Sequence, residues 1–172
     1  FLILAGLIRA NVTSNEVSKF SEALASFNPD WIPGLYPAEF DPGRRQWLFQ
    51  LLAGPLIYHL GFPGASISGR LVCFALYALA FASLAARLRL HAVLMVAVVA
   101  ALDYAPSIAA GEWLFRGFEP KALSYPLILL SLSKLLGEKV NLRLVALLSG
   151  LALSLHPLVG LYGAFSITGT LL

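Results

Sequence analysis

The sequence predicts an all-α, polytopic integral membrane helical bundle with short, proline-broken helices and an amphipathic external loop helix. Three observations predict it. Only 12% of the 172 residues are charged against 59% hydrophobic, and soluble domains carry roughly 25% charged residues. The mean hydropathy is +0.80. The apolar residues fall into runs of helix length, separated by short charged or proline-containing turns. The domain reading is a single membrane-embedded unit over 1–172, with an external loop over 9–46 and a helical bundle over 47–172. The chain starts at Phe1 and ends at Leu172 inside apolar runs, so a fragment of a longer chain is expected.

Phe1–Ile8 reads as the tail of a membrane helix. In the polar segment that follows, Ser14–Phe27 has apolar residues at Val17, Phe20, Leu24 and Phe27. That spacing is helical and one-sided, and predicts a helix lying on the bilayer surface, with Ser14 as its cap and Asn28–Pro29 as its end. The stretch NPDWIPGLYPAEFDPG is dense in proline and aromatics. It reads as an ordered loop whose Trp31 and Tyr36, with Trp47 beyond it, suit the headgroup level. Gln46–Leu60, interrupted by Gly54–Pro55, is too short to span and predicts an interfacial or re-entrant helix. Ser66–Ala86 predicts a full membrane helix, with Gly69, Ala75, Ala78, Ala82 and Ala85 as a close-packing face. His91–Leu102 predicts another short apolar helix. Pro120–Leu136 predicts a helix of roughly 25 Å ended by Gly137. Leu144–Leu155 and Leu158–Leu172 are apolar runs broken at His156–Pro157.

With Gln46–Leu60 not spanning, alternation places Arg87, Arg89, Lys139 and Arg143 on one side and eight of the nine acids on the other. Short basic loops face the cytoplasm, so the acid-rich side is expected to be external.

Ala110–Tyr125 concentrates charge between apolar runs, with Glu112, Arg116, Glu119 and Lys121 in one short interval. Glu112 and Arg116 stand four apart, a helical pairing distance. Pro120 disfavours helical angles at Glu119 and suits the first position of a new helix. Two readings stay open: an interfacial loop with a local ion pair, or a site. Helix alternation predicts that these four residues converge near the external surface with acids of the first loop, and that His156 approaches them.

Several chemistries are excluded or unsupported. The net charge of +3 is scattered without a basic run, which argues against a nucleic-acid partner. The lone Cys73 reads as a small packing residue and permits no internal disulfide. There is no nucleotide-binding loop, serine elbow or metal-binding histidine pair, and no cofactor is indicated. His156 stands in an apolar run beside Pro157, so it either bonds a backbone carbonyl freed at the kink or has a functional role.

The patterns AGEWLFRGFEPKALSYPLILLSL and LALSLHPLVGLYGAF, matched over Gly111–Leu132 and Leu151–Phe165, resemble an uncharacterised group of bacterial GT-C-like membrane proteins. The order of a first helix, a long external loop with an amphipathic helix, and short proline-broken helices is similar to the N-terminal half of GT-C-type polytopic glycosyltransferases, which use lipid-phosphate sugar donors. The chain departs from the family in having no acidic pair directly after Ile8, where Glu16 is the nearest acid. The resemblance implies a bacterial inner-membrane protein that transfers a sugar from a lipid-phosphate donor at the external face. It implies a carboxylate base, for which Glu39, Asp41, Glu112 and Glu119 are candidates, with His156 nearby. It implies cations that hold the lipid phosphate, for which Arg44, Arg45, Arg116 and Lys121 are candidates. Membrane lipid is the expected partner. A transporter built on broken helices, or a structural subunit packed against other membrane subunits, remains an alternative.

Overall fold

The computed structural model describes residues 11–31, 46–104 and 117–171. Among these residues it is all-helical, with six helices. They are α1 (Ser14–Phe27), α2 (Trp47–Leu88), α3 (Ala92–Tyr104), α4 (Pro120–Leu135), α5 (Leu142–Leu155) and α6 (Pro157–Leu171). Glu39, Asp41, Arg44, Arg45, Glu112 and Arg116 lie outside the described residues, as does most of the proline-rich loop.

The cap of α1 is Thr13 rather than Ser14. The Thr13 hydroxyl accepts from the Glu16 amide, and the Glu16 carboxylate accepts from the Thr13 amide. This is a reciprocal capping box, spelled T-x-x-E in the sequence. The buried face of α1 is also rotated from the expected one. Glu16, Phe20, Ala23 and Leu24 are buried, while Val17 and Phe27 are 44% and 47% exposed. The apolar pattern alone misses this because the decisive inward residue is an acid. The helix packs on α2: Phe20 meets Phe62 edge-on at 5.6 Å, and Phe27 meets Tyr58 at 5.6 Å.

The stretch α2 is two helices joined at Gly61, whose φ of 68° and ψ of 174° are open to glycine and strained for other residues. The interruption expected at Gly54–Pro55 therefore falls seven residues later, and helical structure continues through Pro55. The first part, 47–60, begins and ends at one end of the bundle. Phe49 packs on Phe118, the α-carbon of Gly69 faces the same Phe118 ring, and Phe62 and Ser66 both meet α1. The second part runs from Ser66 to Arg87, about 31 Å at 1.5 Å per residue. At its far end the Arg87 guanidinium lies against Gly137, so the two basic turns sit together at the end opposite α1. Gly61 is the one glycine with positive φ among the described residues; Leu136 caps α4 in an ordinary conformation, and Gly137 follows without left-handed geometry.

Helices α4, α5 and α6 alternate in direction. Ser124 Oγ donates to the Ala152 carbonyl and Ser131 Oγ to the Val145 carbonyl, which sets α4 and α5 antiparallel. Ile167 then joins Leu135 and Val145 in one buried cluster, so α6 returns alongside α4. His156–Pro157 is thus the tip of a helical hairpin rather than a kink in one long span. The tip is tight: a Cβ on Gly160 would stand 2.3 Å from the Leu153 α-carbon.

Candidate functional site

The site is built around Gly117, between two carboxylates. On one side stands Glu16, fully buried. Its Oε1 accepts from Ser66 Oγ at 2.9 Å, Arg70 Nε at 2.9 Å and the Phe118 amide at 2.7 Å. Its Oε2 accepts from the Thr13 amide at 2.8 Å and Arg70 Nη2 at 2.5 Å. The two-pronged contact is the geometry in which guanidinium and carboxylate pair most strongly. Arg70, 3% exposed, also donates to the Asn11 carbonyl at 2.9 Å. Burial raises the pKa of Glu16, but the Arg70 hydrogen bonds, the Thr13 and Phe118 amides and the Arg70 charge outweigh it and hold the carboxyl below the ordinary 4.5.

On the other side stands Glu119. It occupies the N-cap position of α4 with extended φ and ψ, and Pro120 follows as the first helical residue. Its side chain makes no cap hydrogen bond. Instead Oε2 pairs with Lys121 Nζ at 3.2 Å. A Cβ added to Gly117 would stand 2.9 Å from Glu119 Oε1 and 3.1 Å from Glu16 Cγ, so a side chain at 117 would displace one acid or the other.

Glu119 and Lys121 open into a cleft of about 170 Å³ that Asn15, Ser18, Lys19, Gln46, Pro120 and His156 complete. The helix alternation explains how distant residues meet there. The start of α1, the start of α2, the start of α4 and the α5–α6 tip all fall at the same end. His156 serves both helices of its hairpin. Its amide donates to the Ala152 carbonyl at the end of α5, and its carbonyl accepts from the Gly160 amide. Its Nδ1 accepts from the Val159 amide at 3.3 Å, which places the ring proton on Nε2. The imidazole therefore caps the next helix by accepting from one of its first backbone N–H groups. Lys19 reaches the cleft from α1, held by Glu22 at 3.0 Å.

Of the candidates read from the sequence, Glu119, Lys121 and His156 share this cleft. Sequence reasoning missed Arg70, Ser66, Lys19 and Gln46. Arg70 was the findable one, since a lone arginine inside the longest apolar run calls for a buried acidic partner. Chemically, the cleft offers a carboxylate, two ammonium groups, an imidazole and neutral amide and hydroxyl groups. Among the described residues, no group of three or more His, Cys, Asp or Glu side chains is arranged to hold a metal. No family model, curated protein or solved structure matches the chain.

Proposed function

We propose that the protein is a polytopic bacterial inner-membrane protein that transfers a sugar from a lipid-phosphate donor in this cleft, at the external face. The observation that carries the reading is the gathering of Glu119, Lys121, His156 and Lys19 in one polar cleft at one end of a bundle that is apolar outside. One described helix, α2, is long and apolar enough to cross a membrane, and only 22% of its most apolar window is buried within the chain. A core helix of a soluble protein would be mostly covered. Val93, Val96, Tyr162 and Phe165 are each at least 65% exposed, an apolar surface suited to lipid. Four further described helices have 13 to 16 residues.

In this reading the cleft lies near the headgroups. Arg87, Arg89, Lys139 and Arg143 gather at the opposite end, which the positive-inside rule assigns to the cytoplasm. Glu119 takes the proton of an acceptor hydroxyl as it attacks the sugar carbon, and the lipid phosphate leaves. Lys121 and Lys19 stabilise the charge on the departing phosphate. Breaking the Glu119–Lys121 pair is the step that exposes the base, and a phosphate entering beside Lys121 supplies the competing anion. The backbone breaks at Gly61 and His156 both lie at the cleft end, which favours a surface site over a transport path that would use breaks at mid-depth.

The test is a transfer assay with the full-length protein in liposomes containing a polyprenyl-phosphate-linked labelled sugar. Glu119→Gln is expected to lower the rate by about 10²–10⁴-fold, the usual contribution of a positioned base, with the protein still folded. Undiminished transfer by Glu119→Gln contradicts the reading.

A further inference from the structure

The cleft has two walls, and one carboxylate that does not line it holds both. The start of α4 and the His156 tip form the first wall, and Asn15, Ser18 and Lys19 of α1 form the second. Those three α1 residues share a helix face at the i, i+3, i+4 spacing. The adjacent face, Glu16, Phe20, Ala23 and Leu24, is the one buried against the bundle. The rotation of α1 about its axis therefore decides whether Lys19 faces the cleft. Apolar burial alone does not fix the observed rotation, because Val17, on the flank of that face, is left nearly half exposed. What favours it is Glu16, through its contacts with Ser66, Arg70 and the Phe118 amide. The Phe118 bond ties the same carboxylate to the segment that leads directly into Glu119.

We propose that Glu16 is the positioning residue of the cleft: it fixes α1 as a wall and so presents Lys19 to the anion that Lys121 binds. The proposal rests on the reading that the cleft takes a phosphate group. Glu16 itself touches no ligand. Its five hydrogen bonds leave the carboxylate saturated, while the helix it holds supplies one of the two ammonium groups. Without that anchor, α1 can turn to bury Val17, and Lys19 leaves the cleft.

The test uses inorganic pyrophosphate as the probe, titrated into the full-length protein in phosphatidylcholine nanodiscs. Lys121→Gln should weaken binding roughly tenfold, the loss of one charged hydrogen bond. Lys19→Gln and Glu16→Gln should each weaken it by similar factors. The double variant Glu16→Gln/Lys19→Gln should be no weaker than either single one, because both changes remove the same ammonium group. Ser66→Ala, which removes one bond and keeps the Arg70 pair, should weaken binding in the same direction by a smaller factor in a fully folded protein. Multiplying losses in the double variant, or unchanged binding in both Glu16→Gln and Ser66→Ala, would overturn the positioning role and leave the phosphate reading intact. Failure of the unmodified protein to bind pyrophosphate, or indifference to Lys121→Gln, would remove the phosphate reading and this proposal with it.

Discussion

Glu16 and Glu119 stand on either side of Gly117, each with a basic partner, yet they belong to different kinds of region. Glu16 is sealed, with both oxygens filled by five donors. Glu119 holds a lysine at 3.2 Å and borders a cleft. The first arrangement resists change, because removing one member leaves a buried charge uncompensated. The second can exchange its partner for a ligand. Proximity and charge are alike in the two; saturation and access to the cleft separate an anchor from a candidate base.

The difference can be broken most forcefully at the anchor. Glu16→Gln or Arg70→Leu is expected to destabilise the fold by about 3–5 kcal/mol, as loss of one partner of a buried pair does, read by denaturant unfolding in mild detergent. Exchanging the two residues, Glu16→Arg with Arg70→Glu, should not rescue it. Thr13, Ser66 and Phe118 supply neutral donors that need an acceptor on α1. Full rescue would show that charge alone matters. A smaller loss, about 1–3 kcal/mol from overpacking, is expected for Gly69→Ala, whose new methyl would lie 2.0 Å from the Phe118 ring. Acid should sharpen the comparison further. Because the folded pKa of Glu16 is depressed below 4.5, its contribution is present above that pH and is lost as pH falls through the folded value. Amide exchange in α1 should therefore stay slow from neutral pH to about 5 and accelerate on further acidification. The smallest effect belongs to the surface: Lys19→Gln breaks a partly exposed pair with Glu22 and should cost about 0.5 kcal/mol or less in unfolding experiments.

Much of the helical framework was legible in the sequence. One-sided spacing marked Ser14–Phe27, Pro120 marked the start of α4, and His156–Pro157 marked the break between α5 and α6, because each signal is local. The anchor was not legible, since Ser66, Arg70 and Phe118 lie 50 to 102 residues from Glu16. A hydropathy window also averages one arginine away, so Ser66–Ala86 read as a plain span with a small-residue face. The rotation of α1 was misjudged for the same reason: its inward side is led by an acid whose partner lies elsewhere in the chain. The folding back of α6 depends on contacts between Ile167, Leu135 and Val145, which no local pattern encodes. Of the site, the Glu119–Lys121–His156 grouping followed from counting helices, whereas the α1 wall did not.

The most direct measurement compares the two acids in one preparation: thermal unfolding of Glu16→Gln and Glu119→Gln beside the unmodified protein. Glu16→Gln should lower the midpoint by roughly 10 °C, from a loss of about 3–5 kcal/mol at a few degrees per kcal/mol for a chain of this size. Glu119→Gln, which keeps an acceptor for Lys121 at the edge of a cleft, should lower it by roughly 4 °C or less. Equal shifts, or a larger one for Glu119→Gln, would contradict the division into an anchor and a cleft acid.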